Sequence, residues 1–372
     1  MKRNYVMMAM AAAMLASCAQ TGLVEEIAEE PQKAIGFSTF VDKATRSENS
    51  STDYTLGLYG HHETFNVWGY KNTDQIKAVF ENVPVNYTSD WGYTDYRYWD
   101  KAATTYYFYA CAPATPFTFI GGAANQATGK FTISTAYTVK STNVSNTATA
   151  AVSSWKGEED DKDLMIAAPC VLTGESLTNA QTTTGGGTGK VELKFIHILS
   201  RLNIKIAKYT GAAKITVNNI TIGNMYKTGT FDEGNTSIDP TTGINSRWTK
   251  TGTKENLSYG INYQVPNDKD NYVIEALIMP QATNPEDVNL DGTGTINEAY
   301  IKINYSLTSG STTEDFTACY NLAKVFEITS GTLDFNEGWQ NTLTINLSPN
   351  AILFNGSVAP WADKVTKELP IE

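Results

Sequence analysis

The sequence predicts an all-β protein built as two tandem β-sandwiches. Nearly every patterned stretch alternates apolar and polar residues with a period of two, and each is closed within about a dozen residues by Gly, Asn, Asp, Ser, Thr or Pro. No amphipathic helix of ordinary length interrupts the series; short turns near KNTDQIKAVF or around EDDKDLM are the most the pattern allows. Strands at this spacing without helices between them point to sandwiches or barrels.

The first candidate strand, residues 34–45, opens the stretch AIGFSTFVDKATRSENSS, in which Ile35, Phe37, Thr39 and Val41 share one face. A polar, protease-accessible loop centred on Arg46 follows it. The next strands are TFNVWGY (64–70), TTYYFYACAP (104–113), KVELKFIHILSRLNIKIA (190–207), AKITVNNITIG (213–223), AYIKINYSLT (299–308) and NTLTINLS (341–348). Between Gln181 and Lys190 lies TTTGGGTG, which has the composition of a linker. It sets the expected boundary between an N-terminal sandwich, residues 34–186, and a C-terminal one, residues 187–372.

The chain begins with an address. Lys2 and Arg3 precede an apolar run, YVMMAMAAAMLA at 5–16, and the small residues Ala16 and Ser17 precede Cys18, the layout of a secretory signal. The run is too short for a permanent span. Leu15, Ala16, Ser17 and Cys18 also match a bacterial lipobox, so residues 1–17 are expected to be removed and Cys18 acylated; the alternative is an ordinary signal with Cys18 incidental. Several acyl chains on one cysteine pass the two-signal threshold for stable anchoring. No acidic residue directly follows Cys18, which resembles outer-membrane sorting. Residues 18–33 are acidic and poor in apolar residues, and read as a tether.

The formal net charge is -11, and loss of Lys2 and Arg3 makes it -13, which speaks against nucleic acid as a partner. Cys111, Cys170 and Cys319 remain after the leader, an odd number that permits at most one internal disulfide and fits buried thiols.

Candidate chemistry is sparse, and no enzyme motif emerges. In DVNLDGTGTINE, Asp287, Asn289 and Asp291 alternate, Gly292 marks a sharp turn and Glu298 is the twelfth residue, a pattern whose oxygens can converge on calcium. Against this, no helix precedes the loop, a strand follows it, and Gly294 stands at the usual apolar eighth position; an acidic hairpin turn explains the same residues, with no cofactor. His61 and His62 read as exposed loop residues, because no carboxylate or cysteine partners stand at ligand spacing. His197 reads as a structural histidine on a strand, with no nucleophile elbow to serve. EEDDKD, residues 158–163, reads as a solvated loop. Trp91, Tyr93, Tyr96, Tyr98 and Trp99 form either a platform for sugar stacking or ordinary strand packing.

Several of these stretches, in order, resemble the fimbrillin family, lipoprotein pilins of Gram-negative anaerobes that form major and minor fimbrial subunits. They are the lipobox at Cys18, KATRS, VPVNYTSDWGY followed by YWDKAATTYYFYACAP, DLMIA (163–167), FIHILSRLNIKI (195–206), LIMPQ (277–281) and FNEGWQNTLTINLSPNAILFNGSVAPWAD. The resemblance spans nearly the whole mature chain. It implies two transthyretin-like sandwiches, export as an outer-membrane lipoprotein and assembly into a surface fimbrium that supports adhesion and biofilm. It also implies cleavage by an arginine-specific protease between Arg46 and Ser47, release of residues 34–45, and entry of a neighbouring subunit's strand into the groove. Many members lack a demonstrated processing step, and Arg46 is then only a loop residue.

The physics stands apart from the family. Removing a strand that carries Ile35, Phe37 and Val41 exposes unpaired backbone groups and an apolar slot, and refilling it from another molecule gives an open, head-to-tail polymer. Two C-terminal alternations, Leu343, Ile345, Leu347 and then Ile352, Phe354, Val358, are separated by Pro349; each reads as a donor or as a closing strand of its own domain. The implied partners are other fimbrial subunits, the outer membrane through the lipid, and a host or bacterial surface receptor. The competing expectation is a surface-anchored carbohydrate-binding lipoprotein that does not polymerise.

Overall fold

The alternation becomes strands almost wherever it occurs. A computed structural model describes residues 33–41, 62–73, 75–121, 129–139, 163–182, 189–207, 209, 211–235, 247–265, 271–286, 298–348 and 352–360. From Ala34 onward these belong to one unit, Ala34–Glu372. The protein is all-β, as expected.

The largest sheet draws on β1 (Gly36–Val41), β2 (Thr64–Asn72), β3 (Ile76–Tyr87), β4 (Trp91–Gly92), β5 (Thr105–Ala112), β8 (Met165–Ala167) and β10 (Lys190–His197), in the order β1-β10-β8-β5-β2-β3-β4, with β9 (Cys170–Thr173) also pairing β5. Its two end strands meet. Trp91 Nε1 of β4 donates to Thr39 Oγ1 of β1 at 3.0 Å, so the sheet curls until β1 lies at a seam. Inside the curl lies an apolar core that includes Phe37, Phe65, Phe80, Trp99, Tyr106 and Phe108.

A second sheet, β6 (Thr118–Ile120), β7 (Lys130–Thr138), β13 (Thr228–Asp232) and β14 (Trp248–Thr251), in the order β14-β13-β7-β6, covers the outer face of the first. Aromatic rings join them: Trp68 of β2 stacks on Phe119 at 5.3 Å and meets Phe131 edge-on at 5.3 Å. The remaining core lies between β16-β11-β21-β22 and β15-β12-β18-β19. These are β11 (Ser200–Ile206), β12 (Lys214–Met225), β15 (Glu255–Gln264), β16 (Asn271–Ile278), β18 (Tyr300–Ser309), β19 (Thr312–Asn321), β21 (Trp339–Leu347) and β22 (Ile352–Pro360). A short pair, β17 (Gln281–Thr283) and β20 (Leu333–Phe335), completes the set.

Three details differ from the sequence reading. Residues 190–207 are two strands in different sheets, because Ile198 and Leu199, both fully buried, turn into the core shared with the second sheet. The expected boundary after residue 186 precedes β10, yet β10 pairs in the first sheet and supplies Val191, Leu193 and Phe195 to its core. The stretch KNTDQIKAVF runs into β3, whereas among the described residues the helices are α1 (Gly174–Thr182) and the single turn α2 (Leu322–Val325).

Candidate functional site

The strand singled out in the sequence lies at the edge of the first sheet. β1 runs parallel to β10, in register from Gly36 opposite Lys190 to Val41 opposite Phe195. Its period of two then sends Ile35 and Phe37 into the core, where both are buried, while Val41 packs against it half-buried. Phe37 meets four rings edge-on: Phe80 at 5.4 Å, Tyr93 at 5.8 Å, Phe65 at 6.0 Å and Phe108 at 6.1 Å. Such pairs add roughly 0.5–1.5 kcal/mol beyond burial. Burial itself contributes roughly 1.5–3 kcal/mol for each large apolar side chain.

On its other side β1 faces β4 and the segment after it, and among the described residues no continuous ladder forms across this seam. Ile35 N donates to Arg97 O at 2.8 Å, the Tyr93 hydroxyl donates to Ile35 O at 2.7 Å, and Ala34 bridges Tyr98. Asp95, with φ 56°, turns the chain so that Arg97 lies over Phe80, its guanidinium carbon 5.5 Å from the ring centroid. Burial pushes the Tyr93 phenol upward, against the opposing effect of Arg97, which keeps it a neutral donor to Ile35. β1 is therefore a strand with one full ladder and one sparse one, packed on an aromatic slot.

The second C-terminal alternation forms β22, which among the described strands pairs only with β21, at the edge of its sheet. Ile352 and Phe354 pack on the core, Phe354 meeting Tyr320 edge-on at 4.8 Å. Leu353 and Val358 are exposed by 52% and 40%, so the strand is only half used by its own domain. The first alternation, Leu343, Ile345 and Leu347, is buried in β21, between β11 and β22.

Of the other residues singled out, Cys18, Arg46 and Ser47 lie outside the described residues, as do Asp287, Asn289 and Asp291. Glu298 is described, and its carboxylate accepts from Thr283 Oγ1 at 3.0 Å and Asn284 N at 2.8 Å, which ties the neck of that loop. His62 is buried rather than exposed, 2.7 Å from Asp163 O through Nε2. His197 Nδ1 pairs with Asp163 Oδ2 inside the protein. Asp163, the last residue of the charge run, was thus the one the sequence hid: 1% exposed, it precedes β8 and joins the start of β2 to the end of β10. In the aromatic cluster Trp91, Tyr93 and Trp99 are buried packing, while Tyr96 and Tyr98 are exposed. Cys111, Cys170 and Cys319 are free, and burial pushes the Cys170 thiol up to about 11.

A fimbrillin-like family model matches residues 45–361. The fimbrium subunit Fim1C of Phocaeicola vulgatus is 24% identical over 414 aligned residues, covering both chains end to end. A crystal structure of a fimbrial protein from Bacteroides vulgatus superposes with a TM-score of 0.50 at 19% identity, over 88% of this chain and 99% of that one, a likeness of fold.

Proposed function

The chain belongs to the fimbrillin-like family, and from that premise we propose that it is a structural subunit of a cell-surface fimbrium assembled by strand exchange. Fimbrial relatives support the structural role. In this reading, cleavage between Arg46 and Ser47 frees β1, and β22 of a second copy enters the slot lined by Phe65, Phe80, Tyr93 and Phe108. The polymer serves adhesion and biofilm. Before assembly the chain is held at the outer membrane by acyl groups on Cys18, and no reaction is assigned to it.

The observation that carries this reading is a repeated pattern on two edge strands. β1 reads Ile35-x-Phe37-x-x-x-Val41 and β22 reads Ile352-x-Phe354-x-x-x-Val358. A strand with the same large residues at the same spacing can rebuild the contacts of β1 while restoring its main-chain ladder. Because the slot and the donor lie on different edges of the molecule, the contact is heterologous and does not close.

A labelled synthetic peptide of residues 350–362 tests this with protein cut after Arg46. Saturable binding that the uncut protein lacks supports the reading; equal or absent binding to both contradicts it. Exposed Tyr96 and Tyr98 favour a second reading, a sugar-binding surface lipoprotein, for which glycan binding lost in Tyr96→Ala would be the sign.

A further inference from the structure

Gly36 is the narrow point of β1. A Cβ there would lie 3.1 Å from Lys190 Cγ, because the Lys190 side chain leans over the glycine from the neighbouring strand β10. Its ammonium pairs with Asp90 Oδ2 in the turn between β3 and β4, beyond the far side of β1. The second carboxylate oxygen accepts from Trp91 N at 2.9 Å, and the same Trp91 holds Thr39 through its indole. One ion pair therefore joins the two sides of the seam by passing over the strand that fills it.

We propose that Lys190 and Asp90 form a clasp that discriminates the resident strand from an incoming one. It closes over β1 because position 36 has no side chain. If β22 enters in the register of the shared pattern, Leu353 falls at that position, and its side chain displaces Lys190 from Asp90. The clasp thus stabilises the molecule before exchange, and is given up when a second copy enters. The choice of incoming strand rests on the proposed strand exchange; the clasp over β1 rests on this chain's own geometry.

The test is hydrogen exchange of the β1 amides in the uncut protein, comparing wild type with Lys190→Met and Asp90→Asn. Both variants are expected to exchange about two- to fivefold faster in β1, the range an exposed ion pair supports, with β2 and β5 unchanged. Salt raised tenfold reproduces the gain in wild type and leaves the variants unmoved. Equal β1 protection in all three overturns the clasp. In Gly36→Leu, which fills the corridor, Asp90→Asn should add nothing; an undiminished effect also overturns it. If the clasp passes while the peptide of residues 350–362 fails to bind cut protein, strand exchange fails and the clasp stands as a lock on β1.

Discussion

The Tyr93 hydroxyl donates to the carbonyl of Ile35 at 2.7 Å, across a seam where β1 has otherwise only isolated bonds. The phenol is buried, and its ring also packs on Phe37. One residue from the far end of the sheet therefore holds both the backbone and the side chains of the edge strand.

Tyr93→Phe keeps the ring and removes only the donor, leaving the buried Ile35 carbonyl short of a partner. The expected loss is about 1–3 kcal/mol in urea unfolding. Phe37→Ala removes a fully buried ring from four others and should cost about 3–5 kcal/mol. A Phe37→Ala loss below that of Tyr93→Phe would mean that the slot is not what holds β1.

Gly356 allows β22 to lie against α2. A Cβ there would sit 2.5 Å from Phe326 Cδ1 and 2.7 Å from its Cα, so the backbone has to move. Gly356→Ala should lower stability by about 1–3 kcal/mol, the usual cost of overpacking. In the shared pattern the same position is Thr39, which carries a Cβ within β1. The variant should therefore weaken β22 in its own domain and speed assembly of cut protein; slower assembly would count against β22 as donor.

The pairing of Asp163 with His197 is almost fully buried, with side chains 0% and 4% exposed. Removing one partner leaves a buried polar group without its hydrogen bond, at a cost of about 1–3 kcal/mol. His197→Phe and Asp163→Asn should each approach that loss, and their effects should be markedly non-additive in a double-mutant cycle. Additive, small losses would mean that the three strand ends are joined by backbone contacts alone.

Burial pushes the Glu233 carboxyl above its ordinary value, against the hydrogen bond from Phe131 N at 2.8 Å and the Arg247 charge. A carboxyl raised on folding binds its proton more tightly in the native state, so stability is greatest below the unfolded value and falls as pH rises through the native one. The contribution of Glu233 should thus grow as pH falls toward the ordinary carboxylate range. Glu233→Gln, which retains an acceptor for Phe131, should flatten that slope; an unchanged slope contradicts the assignment.

The sequence showed strands where packing alternates, and so Ile35, Phe37 and Val41 could be read directly. Other features depend on residues that look ordinary one at a time. Nothing in Ile198 or Leu199 marks a break, because a buried turn needs no Gly or Pro when both side chains enter a core. Among the described side chains of helix α1 only Leu177 and Ala180 are buried, too few for a visible stripe. Asp163 sits in a charge run, where only its position before β8 shows that it turns inward. The clasp of Lys190 and Asp90 joins side chains 100 positions apart, which only the fold brings together.

Electron microscopy with size exclusion, on protein cut after Arg46, tests strand exchange most directly. The expected result is filaments or ladders that carry no residues 34–45, with none formed by cut protein truncated after residue 351. Monomers that keep β1 in place, or filaments undiminished without β22, would contradict it.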